Sequence, residues 1–450
     1  MTFGICEPDG YLPRMADMRL DDALRSSGAV HIKGPKWCGK TETGIHHTRS
    51  QVYLQDPDKS PALLAMADSK PSELLIGDKP RLIDEWQMAP QLWDAVRFAV
   101  DREKVRGGYV LTGSSTEIKA LIARSKEILV RGGYVLTGSS TPKIRPAHTG
   151  VGRIAPLEMS TMSLLETGES TGAVSLLSLF EGTLDIAQVA GLDVDDYAHI
   201  ICRGGWPEAV VSESRGDAGR MARDYVCELL DSNINEMDGI RRNRTWMRQI
   251  MRSYARNVSG QASLSTIAAD MQGEPPSAPT LSEYVDALSR AFVLNDLSAW
   301  NPRLRSKTAV RTSPTRHFSD PSIAAAVLAA TPRGLLDDFE TFGLLFESLC
   351  IHDLRVYASA LGGSLYHYRD KTGLEADAVV VLDDGRWALV EVKMGQSRID
   401  EGAAHLLKLA ERIDQTREGR PSFLMVLTST ACAYRRKDGV VVVPLACLGV

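Results

Sequence analysis

The chain has 450 residues, of which 44% are hydrophobic and 24% are charged, which excludes a disordered or collagen-like chain and allows about three folding units. Its formal net charge is −5, whereas a protein that binds polyanions over its whole surface would carry a strongly positive charge. Residues 1–10 do not resemble a secretory signal, and no apolar run is long enough for a membrane span. The seven cysteines include no C-x-x-C pair, which argues against a disulfide framework or a zinc site. We therefore expect a cytoplasmic protein of several domains, without membrane contact.

The first segment with a chemical signature is residues 34–41, Gly-Pro-Lys-Trp-Cys-Gly-Lys-Thr, which we call the glycine loop. It follows a predicted strand over 29–33 and precedes a predicted helix. This context is typical of a phosphate-binding loop, because glycine lets main-chain N–H groups approach a phosphate closely. We expect Lys40 to contact the β- and γ-phosphates and the Thr41 hydroxyl to bind Mg²⁺. The predicted nucleotide-binding residues here are Gly34, Pro35, Lys36, Trp37, Cys38, Gly39, Lys40, Thr41 and Thr43.

Two adjacent carboxylates follow the next well-defined strand. The strand covers 81–84 and ends in Asp84, which Glu85 follows. Ligands of parallel sheets bind at the carboxyl ends of the strands, so these side chains are expected near the glycine loop. Asp84 is predicted to bind Mg²⁺ directly or through water, and Glu85 to polarise the attacking water as the general base. The predicted cofactors are ATP and Mg²⁺.

Further strands are predicted over 51–55 and 153–159, with a helix over 92–100 that has apolar residues on one face. Short apolar runs that alternate with helical patterns indicate a parallel sheet with crossover helices. The expected fold class is therefore α/β.

The chain also contains an exact duplication. Residues 105–116 and 130–141 are identical, and each copy contains a strand followed by a Gly-Ser-Ser turn. Residues 117–129 between them look helical. A polar residue at the end of such a strand could sense the γ-phosphate, either Thr112 (or Ser114) or Thr137 (or Ser139). Only one copy can occupy a given place in the sheet, and the sequence does not decide which.

The motifs GPKWCGKT, LIDEWQ, YVLTGSSTPK and GGWP together resemble a group of bacterial and archaeal AAA+-like ATPases. These carry a C-terminal domain of unknown function and are compared with the STAND signalling ATPases. The resemblance covers most of the chain. It implies that Arg153 acts as an arginine finger, and that Pro207 contacts the nucleotide from a lid motif over 203–207. The alternatives are a surface arginine and a turn around a buried tryptophan. The duplication departs from the family pattern. The extra segment lies between Asp84–Glu85 and Arg153 in the chain, so it affects the expected distance between these residues and, with it, the expected rate of hydrolysis.

Basic residues concentrate in the middle of the chain, with 12 Lys or Arg against 5 Asp or Glu over residues 241–316. Helices over 262–271 and 279–291, followed by strands over 292–297 and 309–312, resemble a winged helix. Four basic residues of its predicted wing suit phosphate contacts more than base reading: Arg303, Arg305, Lys307 and Arg311. The alternatives are a solvated face and a lid or protein-docking module.

The last 115 residues contain a helix over 342–348 and strands over 373–380 and 386–393. Side chains alternate along a strand, so Glu391 and Lys393 face the same way, as do Glu375 and Asp377. This pattern resembles the PD-(D/E)xK restriction-endonuclease-like fold. The resemblance implies that Glu347, Asp377 and Glu391 bind one or two Mg²⁺ ions, and that Lys393 stabilises developing charge or orients the attacking water. The alternatives are a simple Glu–Lys pair on an exposed hairpin and an inactive binding module.

These elements predict four units: a P-loop ATPase core over 1–160, a helical lid over 161–245, a winged-helix-like domain over 246–333 and a nuclease-like α/β domain over 334–450. One hypothesis is an ATP-driven enzyme whose nucleotide state licenses the C-terminal site to act on nucleic acid. The other is a STAND-like switch in which bound nucleotide changes the assembly state of the protein and the nuclease-like domain only binds partners. A homo-oligomer is compatible with this second hypothesis.

Overall fold

The computed structural model describes most of the chain: residues 3–4, 7, 10–26, 28–84, 88–89, 91–103, 107–111, 132–138, 154–183, 187–211, 219–233, 242–301, 313–370, 372–413 and 419–450. Among these residues, no helix has both the length and the apolar character needed to cross a lipid bilayer.

The N-terminal part is a parallel sheet of six strands: β1 Gly28–Lys33, β2 Ser50–Tyr53, β3 Arg81–Asp84, β4 Tyr109–Leu111, β5 Gly132–Gly138 and β6 Ile154–Glu158. Their spatial order is β2-β3-β4-β5-β1-β6. The helices of this part are α1 Met15–Ser26, α2 Lys40–His46, α3 Ser60–Ser69 and α4 Gln91–Glu103. α4 covers the helix predicted over 92–100, and its buried Leu92, Val96 and Ala99 recur at helical spacing. The predicted parallel α/β architecture is therefore confirmed.

The two copies of the duplicated segment occupy neighbouring places in this sheet. β4 belongs to the first copy and β5 to the second, and they pair in parallel with Tyr109 opposite Tyr134 and Leu111 opposite Leu136. β4 also pairs with β3, and β5 pairs with β1. Identical segments are thus aligned in register, and the second copy adds one strand between β3 and β1.

The middle of the chain is mainly helical. Its helices are α5 Leu164–Thr167, α6 Leu176–Glu181, α7 Val194–Arg203, α8 Pro207–Val211, α9 Arg220–Glu228, α10 Arg244–Arg256, α11 Leu264–Ala269, α12 Ala278–Arg290, α13 Pro321–Leu328 and α14 Pro332–Asp337. A π-helical turn, Leu229–Asn233, follows α9. Side-chain caps begin several of these helices, as at α10, where the Asn243 side chain accepts hydrogen bonds from two main-chain N–H groups.

The structure contains only part of the predicted winged helix. α11 and α12 lie where its two helices were predicted, within two residues at each end. The strand predicted over 292–297 is reduced to isolated bridges, which join Leu294 to Phe318 and Leu297 to Thr315. The second predicted strand and the four basic wing residues fall outside the described residues.

The C-terminal part is a second α/β unit. Its elements are α15 Phe339–Ala360, β9 Gly363–Arg369, β10 Glu375–Leu382, β11 Trp387–Lys393, α16 Ile399–Arg412, β12 Leu424–Thr428, β13 Cys432–Arg435, β14 Val441–Pro444 and β15 Leu448–Gly449. Two short strands from the middle join it: β8 Ala187–Val189 pairs with β13, and β7 Val174–Ser175 pairs with β15. With β8, the main sheet has seven strands of mixed direction in the order β8-β13-β14-β12-β11-β10-β9, and β7 and β15 form a separate two-stranded sheet.

One large hydrophobic core joins the helical middle to the inner face of the C-terminal sheet, while smaller clusters lie around the N-terminal sheet and under α16. The segment over 161–245, predicted as a lid, therefore also shares strands and a core with the C-terminal unit. The four domain limits themselves stay predictions.

Candidate functional site

The glycine loop follows β1, and its backbone requires glycine at two positions, 34 and 39. A Cβ atom at Gly34 would stand 2.0 Å from the carbonyl oxygen of Met159, so no larger residue fits. Gly39 has φ of 97°, in the left-handed region that favours glycine. Trp37 also has positive φ, 66°, and its ring packs edge-on against Tyr225 of α9 at 5.7 Å between centroids. Contacts outside the loop therefore hold this conformation.

Lys40 begins α2, and its ammonium group lies inside the glycine loop. Nζ donates hydrogen bonds to the carbonyl oxygens of Gly34, at 3.2 Å, and Pro35, at 2.5 Å. The residue is only 8% exposed, and burial lowers the pKa of its ammonium group. In the described part of the chain, no carboxylate forms an ion pair with it. A buried cation without a counter-ion is costly, and an anionic ligand at this place would offset that cost.

The two predicted threonines of this region have different surroundings. Thr41 is exposed in the first turn of α2, where its hydroxyl is accessible to a ligand. Thr43 is buried, and its hydroxyl shares a hydrogen bond of 2.9 Å with the hydroxyl of Tyr11. Tyr11 in turn donates to the carboxylate of Asp17 at 2.6 Å. The Thr43 hydroxyl is thus engaged within the protein, whereas that of Thr41 lies at the surface.

Asp84 ends β3 and is 6% exposed. Its carboxylate accepts a hydrogen bond from the Gln55 side chain. Burial raises the pKa of Tyr53, and the negative charge of Asp84 adds to this shift. The side chains of the other predicted residues of the ATP site are not described, and their roles stay predictions: Glu85, Thr112, Ser114, Thr137, Ser139 and Arg153.

Residues 203–207 form the turn that leads into α8. Trp206 is fully buried, and its indole N–H donates to the Ser322 hydroxyl at 3.0 Å, so this part of the motif has a structural role. The next residue, Pro207, lies beside the glycine loop: its Cγ is 3.4 Å from the place that a Cβ at Gly39 would occupy. The turn therefore positions Pro207 at the loop, and a contact with nucleotide stays a prediction.

Arg14 is a residue of this site that the sequence analysis missed. Its guanidinium donates to the carbonyl oxygen of Cys38 in the glycine loop at 2.6 Å and to that of Ser160 at 2.7 Å. It also forms a buried ion pair with Glu166, 3.1 Å between Nε and Oε1. Arg14 thus ties the loop to the segment after β6. The partners are 152 residues apart and neither lies in a motif, so the sequence carries no signal for the pair.

We expect Arg14→Ala to lower the free energy of unfolding by about 3–5 kcal/mol, because it leaves the Glu166 carboxylate buried without its partner. Urea denaturation measures this value for Arg14→Ala, for Glu166→Ala and for the double variant. The double variant should lose at least about 1 kcal/mol less than the two single losses added together. Strictly additive losses would show that the two side chains do not act as a pair.

A second cluster of charged side chains lies on β10 and β11. Glu391 and Lys393 face the same way, with Nζ 2.8 Å from Oε1 of Glu391, as strand alternation predicts. Glu391 is 3% exposed, and its other oxygen, Oε2, is buried and has no hydrogen-bond partner in the described part of the protein. Asp377 lies on the adjoining strand and accepts a hydrogen bond from the Val392 N–H at 2.7 Å.

α16 packs over this cluster, and its closest approach is at Gly402, a residue that the sequence analysis also missed. A Cβ atom at Gly402 would stand 3.3 Å from Cγ of Glu391 and 3.1 Å from Cγ of Lys393. An added Cβ would therefore require both side chains or the helix to move by a few tenths of an ångström. From the same helix, Nδ1 of His405 lies 3.6 Å from Oε1 of Glu391.

The acidic groups of this cluster bind protons more tightly than free carboxylates do. Burial and the neighbouring Asp377 raise the pKa of Glu347, on α15, well above its ordinary value. Burial and the charge of Glu391 raise the pKa of Asp377 to about 7. Burial also raises the pKa of Glu391, although Lys393 opposes the shift. Burial by itself would lower the pKa of Lys393, but Glu391 and Asp377 outweigh it and raise it. Such a cluster favours binding of an external cation.

The three-carboxylate metal site implied by the nuclease resemblance is not assembled. Across the described ranges, no three His, Cys, Asp or Glu side chains are grouped so that they could hold a metal ion. A smaller donor set is compatible with this finding, because Mg²⁺ is often held by one or two carboxylates together with waters and phosphates. The unpartnered Oε2 of Glu391 fits that smaller donor set.

Two family models match the chain, and both describe domains of unknown function. The model DUF8612 matches residues 194–334, and the model DUF4143 matches residues 342–448. Among curated proteins, the chain is similar to the uncharacterized proteins Mb2031c of Mycobacterium bovis and Rv2008c of Mycobacterium tuberculosis. Each is 23% identical over 382 residues, which are 84% of this chain and 73% of the relative.

Two solved structures are similar over much of the chain. One is the Walker-type ATPase PABY2304 of Pyrococcus abyssi, which is 12% identical with a TM-score of 0.42, over 72% of this chain and 97% of that one. The other is the ORC2 protein of Aeropyrum pernix in ADPNP–ADP complexes, which is 11% identical with a TM-score of 0.23, over 70% of this chain and 92% of that one. These TM-scores do not establish a shared overall fold.

Proposed function

We propose that this chain binds ATP with Mg²⁺ at the glycine loop and hydrolyses it. The observation that carries the proposal is Lys40, a buried cation whose ammonium group, among the described residues, is held by main-chain carbonyl oxygens and has no carboxylate partner. It lies at the carboxyl edge of a parallel sheet, where such sheets bind ligands. Phosphate oxygens would supply the missing negative charge. The test is the loss of ATP binding in Lys40→Ala.

The proposed roles of the other residues come from the sequence motifs and from the family resemblance. Main-chain N–H groups of the glycine loop donate to phosphate oxygens, and Thr41 and Asp84 hold the magnesium ion, which neutralises phosphate charge when bound. Glu85, directly after Asp84, polarises the attacking water. Arg153 stabilises the charge that develops on the transferred phosphoryl group. Hydrolysis depends on how closely these groups approach the glycine loop.

The duplication is proposed to slow that hydrolysis. In the observed strand order, β4 and β5 both lie between β3, which carries Asp84, and β1, which leads into the glycine loop. At about 4.8 Å per strand spacing, β3 is roughly 14 Å from β1, whereas a single copy would bring it to roughly 10 Å. A displacement of even 1 Å can lower a catalytic rate about 100-fold. We therefore infer that turnover is slow.

For the C-terminal cluster, we propose a metal-dependent site that hydrolyses phosphodiester bonds in nucleic acid. The observation that favours it is Oε2 of Glu391, which is buried and has no hydrogen-bond partner among the described residues, while Oε1 of the same carboxylate pairs with Lys393. Asp377 and Glu391 would hold the ion, and Lys393 would stabilise the charge that develops on the phosphate. We also propose that ATP bound at the glycine loop controls the access of nucleic acid to this site. The alternative is a STAND-like signalling switch whose nuclease-like domain only binds partners, and the incomplete ligand set favours that alternative.

Cleavage of a labelled DNA strand separates the two proposals. With Mg²⁺ or Mn²⁺ the parent protein should cleave, and Glu391→Ala should reduce the rate at least about 100-fold, because the ion loses a ligand and Lys393 loses its partner. A chelator should abolish cleavage in the parent. Glu340→Ala removes an exposed carboxylate at the start of α15 and serves as the control, with an unchanged rate. Equal cleavage by the parent and Glu391→Ala, or none by either, would leave only the switch.

A further inference from the structure

One face of α10 carries arginine at every fourth position. These residues, Arg244, Arg248, Arg252 and Arg256, are all exposed, and we call them the arginine ladder. The opposite face is buried through Met247, Ile250, Met251 and Tyr254. Since residues four apart lie on the same side of a helix and drift by about 40° per step, the four arginines form a stripe that winds slowly around α10. The stripe is about 18 Å long at 1.5 Å per residue.

The two central charges of the ladder are not compensated within the described structure. Arg244 pairs with Asp231, and Arg256 lies 3.9 Å from Asp270. Arg248 and Arg252 have no carboxylate within ion-pair distance among the described residues. Like charges four residues apart destabilise a helix, so the two adjacent charges at Arg248 and Arg252 oppose its folding. An anionic ligand in contact with both would offset that repulsion.

The ladder lines a groove of about 850 Å³ between α10, α9 and α13. The floor is partly apolar, with Leu230 and Ala326 among its lining residues. Gln249 also lines the groove, and its side-chain oxygen is buried without a hydrogen-bond partner in the described part of the chain. A groove lined by a stripe of cations fits a charged polymer better than a flat membrane surface.

We propose that this groove binds the sugar–phosphate backbone of a nucleic acid strand. Arginine suits that partner because its planar guanidinium can donate two parallel hydrogen bonds to one phosphate. Contacts of this kind do not read sequence. This groove is not the surface that the winged-helix resemblance suggests. In a winged helix the second helix would read DNA and would need basic residues, but α12, at that place, exposes Asp286 and carries a half-buried Glu283. The proposal depends neither on ATP binding nor on cleavage.

The test is fluorescence anisotropy with three labelled probes, an oligo-dT strand, a DNA duplex and an oligo-U strand, in the presence of a chelator so that nothing is cut. We expect Arg248→Glu/Arg252→Glu to weaken binding of at least one probe about tenfold or more near 0.1 M salt. The slope of log affinity against log salt should become shallower by about 1.5, the value for two lost phosphate contacts. The three probes distinguish single strands, duplex and RNA.

The control is Arg25→Glu/Arg333→Glu, which changes the net charge equally at two exposed sites outside the groove. It should bind like the parent. If the ladder variant proves unstable by circular dichroism, Arg248→Gln/Arg252→Gln should show the same direction of change. Unchanged binding by the ladder variant, an equal loss in the control, or binding to phosphatidylserine vesicles but to none of the probes would overturn the proposal.

Discussion

Replacing Lys40 with alanine is expected to lower the affinity for ATP at least about 100-fold. The ammonium group is buried, lacks a carboxylate partner in the described structure, and is held by the carbonyl oxygens of the loop that would surround the phosphates. Hydrogen bonds to charged groups contribute about 1.5–3 kcal/mol each, and two phosphates would be contacted. Isothermal titration calorimetry with Mg²⁺ and a non-hydrolysable ATP analogue measures the difference directly.

A matched control for this variant is Lys59→Ala, which removes an exposed lysine that pairs with Asp56 just before α3. It should bind ATP as the parent does. Thermal unfolding must also show that Lys40→Ala is folded, since two loop carbonyls lose their partner. Equal ATP affinity in folded Lys40→Ala and in the parent would refute the nucleotide site and, with it, the proposed ATPase.

Deleting one copy of the duplicated segment is expected to raise the rate of ATP hydrolysis at least about tenfold. Removing residues 105–129 joins residue 104 to 130 and leaves one intact copy of the twelve-residue sequence. The sheet would then close by one strand, and Asp84 and Glu85 would move about 4.8 Å towards β1. Steady-state phosphate release by the deletion variant and the parent measures the effect.

Glu85→Gln made in the deletion variant distinguishes a gain in catalysis from a contaminating activity, because it should abolish the added turnover while ATP still binds. The deletion variant must first unfold cooperatively and bind ATP with an affinity near that of the parent. An unchanged or lower rate in such a protein would mean that the extra strand does not limit hydrolysis.

Much of the candidate ATP site could be predicted because its chemistry is local. The glycine loop is one contiguous segment whose backbone needs glycine at positions 34 and 39, and that requirement is visible in the sequence. β3 was predicted over its exact limits because Asp84 ends a short apolar run. Likewise, strand alternation alone places Glu391 and Lys393 on one face. Thr43 could not be placed, since its partner Tyr11 lies 32 residues away, outside the loop motif.

From the order of the residues alone we could predict the glycine loop, the parallel α/β character of the first unit and the shared face of Glu391 and Lys393, because each depends on neighbours along the chain. The three-dimensional arrangement was needed to show that both repeat copies pair side by side, that Arg14 joins Glu166 at the loop, that Lys40 is buried and that α16 packs closely against Glu391 at Gly402. These features depend on burial and on contacts between residues far apart in the chain. Such contacts are selected by the packing of the whole protein and leave no periodic or contiguous pattern.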